Sequence, residues 1–252
     1  FTVKNSIECL KIDGRAQVSS FRHFLKDYRD KQNRDLLCLI FANSEFGDEH
    51  LKWLHDLLVK KQIRCLSFQN AFNAKTMKCF YTKFLNSEIG DNLVSLNLDG
   101  TKDVRISLVL PNLPRIQYIS MENCGLDLGD TLSTISRFRL PRLVGMNLSG
   151  NTCSDYAGLS KLSFPCSLES LMINDVTWEG DSLVQALTLI FNNFENGIRL
   201  SIANAIASEE QWNQAFLHMQ ITKYNKICSL VWDKNPINPV FFKFLRENSY
   251  IT

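Results

Sequence analysis

The stretch ICSLVWDKNPI, residues 227–237, decides the fold of this chain. Counting Ile227 as offset one, apolar residues occupy offsets four, six and eleven, and an asparagine occupies offset nine. Alternate residues of a strand point to the same side, so offsets four and six share one face while offsets three, five and seven share the other. The stretch therefore predicts a strand with one buried face, followed by a turn whose amides need polar partners.

The same spacing recurs throughout the chain of 252 residues. Successive copies begin 23 to 30 residues apart, at Ile7, Leu36, Ile63, Leu93, Ile116, Leu143, Leu168, Gly197 and Ile227. This is the leucine-rich-repeat signature, L-x-x-L-x-L-x-x-N/C-x-L. We therefore predict an α/β fold, a right-handed leucine-rich-repeat solenoid (horseshoe) of about nine repeats, with a parallel concave sheet and convex helices.

Apolar residues three or four positions apart predict helices between the strands. The stripes are Phe21, Phe24, Leu25 and Tyr28; Leu51, Leu54 and Leu58; Met77, Phe80 and Phe84; Leu183, Leu187, Ile190 and Phe194; and Trp212, Phe216 and Met219. Pro111 and Pro114 disfavour a helix in the short fourth connection. Because one repeat cannot bury a core alone, residues 1–252 are expected to form a single repeat domain and to be a segment of a larger protein.

Offset nine carries a polar side chain in only some repeats. Asn151, Asn235 and Cys124 fit the signature, and Ser44 and Thr101 are smaller substitutes. The remaining repeats have Arg15, Ala71, Val176 and Ala205 there. We expect local irregularity at those turns rather than a different fold.

Composition narrows the function classes. A net charge of +2 gives no strong field toward nucleic acid, and we predict no nucleic-acid partner. The longest apolar run, Leu36 to Ala42, is far shorter than the roughly 20 residues that span a bilayer. The eight cysteines form no CxxC pair, which favours a reducing compartment. No nucleophile elbow, phosphate-binding glycine loop or paired-histidine motif is present, so we predict no enzyme activity, no cofactor and no metal.

Four segments resemble successive repeats of the CARMIL family, the capping-protein, Arp and myosin-I linkers. They are LVSLNLDGTKD (93–103), IQYISMENCGLDLGDTL (116–132), LVGMNLSGN (143–151) and LVWDKNPI (230–237). The likeness covers residues 93–252, and its most specific part is Trp232 to Asn235, because tryptophan is unusual at offset six.

That resemblance implies a cytoplasmic, non-enzymatic scaffold that regulates actin filament assembly at the cell cortex or leading-edge membrane. Its partners would be proteins of the actin-assembly machinery, and membrane binding would come only through flanking domains. In that family the capping-protein segment follows the repeats, and no counterpart is found here, so this piece should not itself uncap filaments. Two alternatives stay open: a GTPase-activating protein of the Ran-activator type, and a secreted leucine-rich-repeat receptor or adhesin.

The predicted concave face supplies the candidate binding residues. Tyr118 and Met172 are its expected anchors, and Asp99, Glu122 and Asp233 give it weak acidity. Asn147, Asn174 and Arg199 complete the predicted set. The competing interpretation is a solvated sheet face that binds nothing.

Three further features of the sequence are relevant to metal binding or catalysis. Cys9, Cys38 and Cys65 share offset three in successive repeats and should stack; metal binding and oxidation are conceivable, and coincidence is the favoured reading. Trp232 has an inward offset and is predicted to be core. His50 and His55 are predicted to be surface residues and not a catalytic pair.

Overall fold

A computed structural model of the chain describes residues 9–14, 22–23, 26, 37–61, 63–85, 87–138, 140–154, 158–159, 162–194, 197–221 and 227–248. The chain forms two compact units, Phe1–Cys124 and Gly125–Thr252. That residues 1–252 make one domain stays a prediction. The helix predicted from the Phe21 to Tyr28 stripe lies outside the described residues.

The described residues of the first unit contain five strands that pair in chain order. They are β1 (Cys9–Asp13), β2 (Cys38–Ala42), β3 (Cys65–Gln69), β4 (Ser95–Asn97) and β5 (Tyr118–Ser120). Every pair is parallel, and equal offsets lie opposite each other: Leu39 faces Leu10 on one side and Leu66 on the other. The repeat predicted from the sequence is therefore the repeat of the backbone.

Helices connect these strands. They are α1 (Asp48–Lys61), α2 (Ala74–Cys79) with a π-helical turn at Phe80–Phe84, α3 (Ser87–Gly90), and α4 (Ile106–Val109) with a 3₁₀ turn at Leu110–Asn112. Pro111 and Pro114 were predicted to disfavour a helix here, and α4 has only 4 residues and ends at Val109, before Pro111. Pro111 itself belongs to the 3₁₀ turn. It lies in the first turn of the 3₁₀ segment, where a missing N–H costs nothing.

Phenylalanines fill the core of the first unit. Phe41 and Phe68 are 1% and 0% exposed and stack with ring centroids 5.7 Å apart. Phe80 and Phe84, from the predicted stripe after β3, are also buried and lie 5.9 Å and 6.1 Å from the Phe68 ring. Aromatic pairs at these distances add about 0.5–1.5 kcal/mol each beyond their buried area.

The second unit repeats the arrangement. Its strands are β6 (Gly145–Asn147), β7 (Thr152–Cys153), β8 (Ser170–Met172), β9 (Thr177–Trp178), β10 (Ile198–Ser201) and β11 (Ile227–Val231). β6, β8, β10 and β11 pair in that order, all parallel, with a bulge between Ile198 and Arg199. β7 and β9 form a separate parallel pair after the main strands.

Four helices follow these strands in the second unit's described residues: α5 (Leu128–Arg137), α6 (Ser182–Asn193), α7 (Glu209–Ile221) and α8 (Pro239–Asn248). Trp232 is buried, as predicted, with ring centroids 5.3 Å from Trp212 and 4.5 Å from Phe241. Its indole N–H donates to the Pro236 carbonyl at 3.0 Å, so the buried polar atom has a partner. The predicted fold class, an α/β leucine-rich repeat, is confirmed by both units.

A turn that the sequence analysis did not identify recurs at offset eight. The backbone is left-handed there in every repeat, with φ between 51° and 93°. Glycine, asparagine and aspartate tolerate this conformation best, and they fill eight of the nine positions. The nine residues are Gly14, Asn43, Asn70, Gly100, Asn123, Gly150, Asp175, Asn204 and Lys234.

This turn presents its N–H to the next repeat. The offset-eight amide donates to the offset-seven carbonyl of the following strand, at 2.8 Å from Asn43 to Gln69 and from Gly150 to Asn174. The same bond recurs at Gly14, Asn70, Gly100, Asp175 and Asn204. Backbone atoms therefore join the repeats where the offset-nine side chains vary.

Offset-nine side chains reinforce the turn where they can. The Asn151 side-chain amide donates to the Leu148 carbonyl at 2.8 Å and accepts from the Leu126 N–H at 3.0 Å. Ser44 Oγ donates to the Gly14 carbonyl at 2.8 Å, and the Cys124 thiol to the Leu98 carbonyl at 3.2 Å. At Ala71, which has no polar side chain, the Phe46 N–H instead donates to its carbonyl at 2.9 Å. Repeats without a polar offset nine thus keep the same turn.

Candidate protein-interaction face

In each unit, offsets three, five and seven of the main strands form what we call the odd-offset face, which is the face predicted to be concave. Core side chains at offsets four and six are buried in β2 to β5, and in β6, β8 and β10. The odd-offset side chains of the same strands are mostly small or polar and partly exposed. The alternation separates a surface from a core, as the sequence predicted.

Large apolar side chains interrupt this polar surface at three points. Tyr118 is 49% exposed in β5, Met172 is 40% exposed in β8, and Val231 is 47% exposed in β11. Tyr118 and Met172 were predicted as anchors. Val231 was not, because the prediction for this repeat concerned the inward-facing Trp232. A single exposed apolar side chain is common on any protein surface, so a binding surface is indicated only where such side chains lie close together among polar ones.

In the second unit these apolar residues lie beside exposed charges. The register places Met172 opposite Ser201, and Ser201 opposite Val231, so the two apolar residues flank a small hydroxyl residue. Arg199 precedes Ser201 by two positions on the same face and is exposed, as is Asp233 beyond β11. We call Met172, Arg199, Val231 and Asp233 the interaction patch. Within the part of the chain that the structure describes, neither Arg199 nor Asp233 forms an ion pair.

Two of the predicted binding residues, Asp99 and Asn174, also form hydrogen bonds between repeats. Asp99 Oδ1 accepts from Ser120 Oγ at 2.6 Å and from the Glu122 N–H at 2.8 Å, and its Oδ2 accepts from Asn97 Nδ2 at 2.6 Å. Asn174 Oδ1 accepts from Ser201 Oγ at 2.8 Å and from the Ala203 N–H at 2.7 Å. Both sit at offset seven and bond to offsets five and seven of the next strand.

Glu122 and Asn147, two of the other four predicted polar residues, are also partly engaged. Glu122 accepts from Asn123 Nδ2 at 3.3 Å, and Asn147 Oδ1 accepts from the Ser149 N–H at 3.1 Å. Ser149 Oγ in turn accepts from the Asn174 N–H at 3.1 Å. Partner binding by the eight predicted residues stays a prediction, and Tyr118, Met172, Arg199 and Asp233 are the four with exposed side chains.

A pocket of about 340 Å³ lies on the helix side of the first unit. Leu51 and Phe84 form its apolar wall, and Asp48, Asp56 and Lys83 are among its charged residues. Cys79 also lines it, and burial raises the pKa of its thiol. The charges are of mixed sign, and no predicted binding residue lies there.

His50 corrects one expectation about the surface. It is 7% exposed and packs between Phe46 and Trp53, whose ring centroids lie 5.5 Å and 6.0 Å away. Its Nδ1 accepts the Gly47 N–H at 2.9 Å, and burial lowers its pKa. The expectation that His50 is a surface residue is wrong, because its ring closes the start of α1 against the phenylalanine core.

No helix among the described residues is long and apolar enough to cross a membrane. No group of three or more histidine, cysteine, aspartate or glutamate side chains in the described ranges is arranged to hold a metal ion.

No family model matches the chain, and no curated protein matches it either. Among solved structures the chain is similar to an internalin, InlF, from Listeria monocytogenes, with 13% sequence identity and a TM-score of 0.45 over 93% of this chain and 70% of the internalin chain. The fold class therefore rests on the strand register and turns described above.

Proposed function

We propose that this chain is the leucine-rich-repeat part of a protein-interaction scaffold, and that the scaffold is a CARMIL-like regulator of actin filament assembly. The observation that carries the scaffold role is the interaction patch, where Met172 and Val231 are exposed beside Arg199. Repeat folds use such sheet faces as extended binding surfaces. The actin assignment is supported by the sequence motifs quoted above, chiefly Trp232 to Asn235.

The chemistry of the patch indicates how a partner would bind. Arginine is enriched among the residues that contribute most at protein interfaces, since its guanidinium donates several hydrogen bonds in a fixed geometry, and Met172 and Val231 add apolar area beside it. A partner surface with apolar side chains and a carboxylate would complement Met172, Val231 and Arg199. The proposal includes a cytoplasmic location at the cell cortex or leading-edge membrane.

The test compares a patch variant with a matched variant of the helix side. The patch variant is Met172→Ala/Arg199→Glu/Val231→Ala, and the control is Leu217→Ala/Lys243→Glu, whose sites are exposed on α7 and α8. Partners are captured by cross-linking in cells, identified by mass spectrometry and remeasured as purified proteins. We expect an actin-assembly protein whose affinity falls at least about tenfold in the patch variant, a loss of ~1.4 kcal/mol, and is unchanged in the control.

The outcomes separate the two levels of the proposal. Capture of partners unrelated to actin would contradict the CARMIL-like assignment and leave the scaffold role. Equal binding by the patch variant would refute the patch. Faster GTP hydrolysis on mixing with a purified small GTPase would instead favour the Ran-activator alternative.

A further inference from the structure

Three cysteines form a column on the odd-offset face of the first unit. Cys9 in β1 lies opposite Cys38 in β2, and Cys38 lies opposite Cys65 in β3, each pair in direct register. Adjacent strands are about 4.8 Å apart, so neighbouring thiols stand side by side while the outer two are about twice as far from each other.

The three sulfurs are accessible and lie side by side. All are free thiols; Cys9 is exposed, and Cys38 and Cys65 are half-buried. Cys38, in the middle, is in direct register with Cys9 on one side and with Cys65 on the other. The column therefore offers two neighbouring pairs of sulfurs that share one member.

This geometry selects among metal ions. Zinc requires four tetrahedral ligands, and no three metal-binding side chains of the described residues converge on one point. An ion in this column can take only two sulfurs, from Cys38 and one neighbour. Soft thiolates favour soft ions, and Cu(I) is the physiological soft ion that accepts two ligands in a line.

We propose that Cys9, Cys38 and Cys65 form a binding site for one monovalent thiophilic cation, Cu(I), with Cys38 as the shared ligand and either neighbour as the second. Each coordinating thiol loses its proton when the ion binds. Because the ion replaces those protons, Cu(I) affinity should increase with pH.

The experiment titrates the reduced protein with Cu(I) under anaerobic conditions against a chromogenic Cu(I) chelator, with native mass spectrometry for stoichiometry. We expect one strongly bound ion in the wild type. Removing an outer-shell partner of a metal site already costs about 10–100-fold, so losing a ligand in Cys38→Ser should cost at least about 100-fold. Cys9→Ser and Cys65→Ser should each keep the site, and the Cys9→Ser/Cys65→Ser double variant should lose it.

The control is Cys166→Ser/Cys228→Ser, which removes two exposed thiols outside the column. It should bind Cu(I) as the wild type does. If circular dichroism shows that Cys38→Ser does not fold, the Cys9→Ser/Cys65→Ser double variant provides the same test. Wild-type affinity in either variant, loss of binding in the control, or no competition by the wild type would overturn the proposal.

Discussion

At the scale of single residues, the left-handed turn at offset eight is the most demanding position of each repeat. This conformation costs an L-residue about 1–2 kcal/mol, and asparagine and aspartate offset part of that cost through side-chain hydrogen bonds. Asn43 Nδ2 donates to Asp13 Oδ1 at 3.1 Å, and Asn204 Nδ2 donates to Asp175 Oδ1 at 2.6 Å. Lys234, with φ of 59°, has no such side chain.

Lys234→Gly should therefore stabilise the protein. Relief of about 1–2 kcal/mol of left-handed strain exceeds the roughly 0.5–1 kcal/mol that glycine loses in backbone entropy, so the net gain is up to about 1 kcal/mol. Urea denaturation measures it as a higher midpoint. Asn204→Gly is the matched control and should change stability much less. A Lys234→Gly variant no more stable than the wild type would contradict this account of the turn.

His50 makes the folding stability of the first unit depend on pH. Its pKa is lowered from 6.5 by burial, so below pH 6.5 the unfolded chain binds a proton that the folded chain excludes. Stability should fall as the pH drops from 7.5 to 5.5, and His50→Gln should reduce that fall. His218, whose pKa burial also lowers, contributes equally to both proteins.

The measurement is urea denaturation at the two pH values. Leu217→Ala, which removes no titratable group at an exposed site on α7, is the control and should retain the wild-type dependence. If the wild type and His50→Gln lost the same stability between the two pH values, the dependence would come from another titrating group.

Residue types alone could not reveal which polar side chains are structural. Asp99 and Asn174 share the odd-offset face with Arg199 and Asp233, and period-two alternation treats all four alike. Asp99 and Asn174 are distinguished by a serine hydroxyl at offset five of the next repeat, Ser120 or Ser201, which donates to their side chains. Only the strand register brings that hydroxyl within hydrogen-bond distance. The offset-eight turn, by contrast, left a visible signal in its glycines and asparagines.

At the scale of elements, apolar spacing predicted the described helices with clear stripes. The α1, α6 and α7 helices contain Leu51 to Leu58, Leu183 to Ile190 and Trp212 to Met219 as expected. Four helices were not predicted: the four-residue helices α3 and α4, the longer α5, although Leu128, Leu132 and Ile135 are buried along one side, and α8. In the fourth connection the prolines were predicted to disfavour a helix. A 3₁₀ turn is present there because it accepts Pro111 where a longer helix would not.

The fourth connection depends on a close approach between α3 and that 3₁₀ turn. A Cβ at Gly90 would lie 1.5 Å from the Asn112 carbonyl oxygen, a backbone atom that cannot rotate away. Gly90→Ala should cost about 1–3 kcal/mol of unfolding free energy through overpacking. Thermal and urea denaturation measure the loss. Gly47→Ala is the control, since its Cβ would meet only His50 Nδ1 at 3.6 Å. Similar stabilities of the two variants would rule out the close approach as the cause.

At the scale of the whole molecule, the last strand differs from β8 and β10, which precede it in the sheet. Leu171 and Leu200 are 1% exposed at offset four, whereas Leu230 in β11 is only half-buried. Ile237 and Phe242, on the same terminal repeat, are 59% and 61% exposed. The apolar face and free edge of β11 therefore lack a covering neighbour among the described residues, which is the condition under which strands pair with other chains.

A purified fragment of residues 1–252 should consequently self-associate. Its apparent mass in light scattering after size exclusion should increase with concentration, and Ile237→Glu/Phe242→Glu should restore a monomer, because buried charge opposes the contact. Leu217→Glu, at an exposed site on α7, is the control and should leave association unchanged. A wild-type fragment that stays monomeric at all concentrations would contradict the prediction.

The amide-to-carbonyl bond between successive turns has a consequence for how this protein can change over generations. Since main-chain atoms make that bond, drift among the odd-offset side chains costs the architecture little, apart from Asp99, Asn174 and the few others that bridge repeats. Recognition and scaffold are thus nearly independent traits. Lineages could exchange one partner for another by altering a handful of codons, while the frame that presents those side chains stays the same.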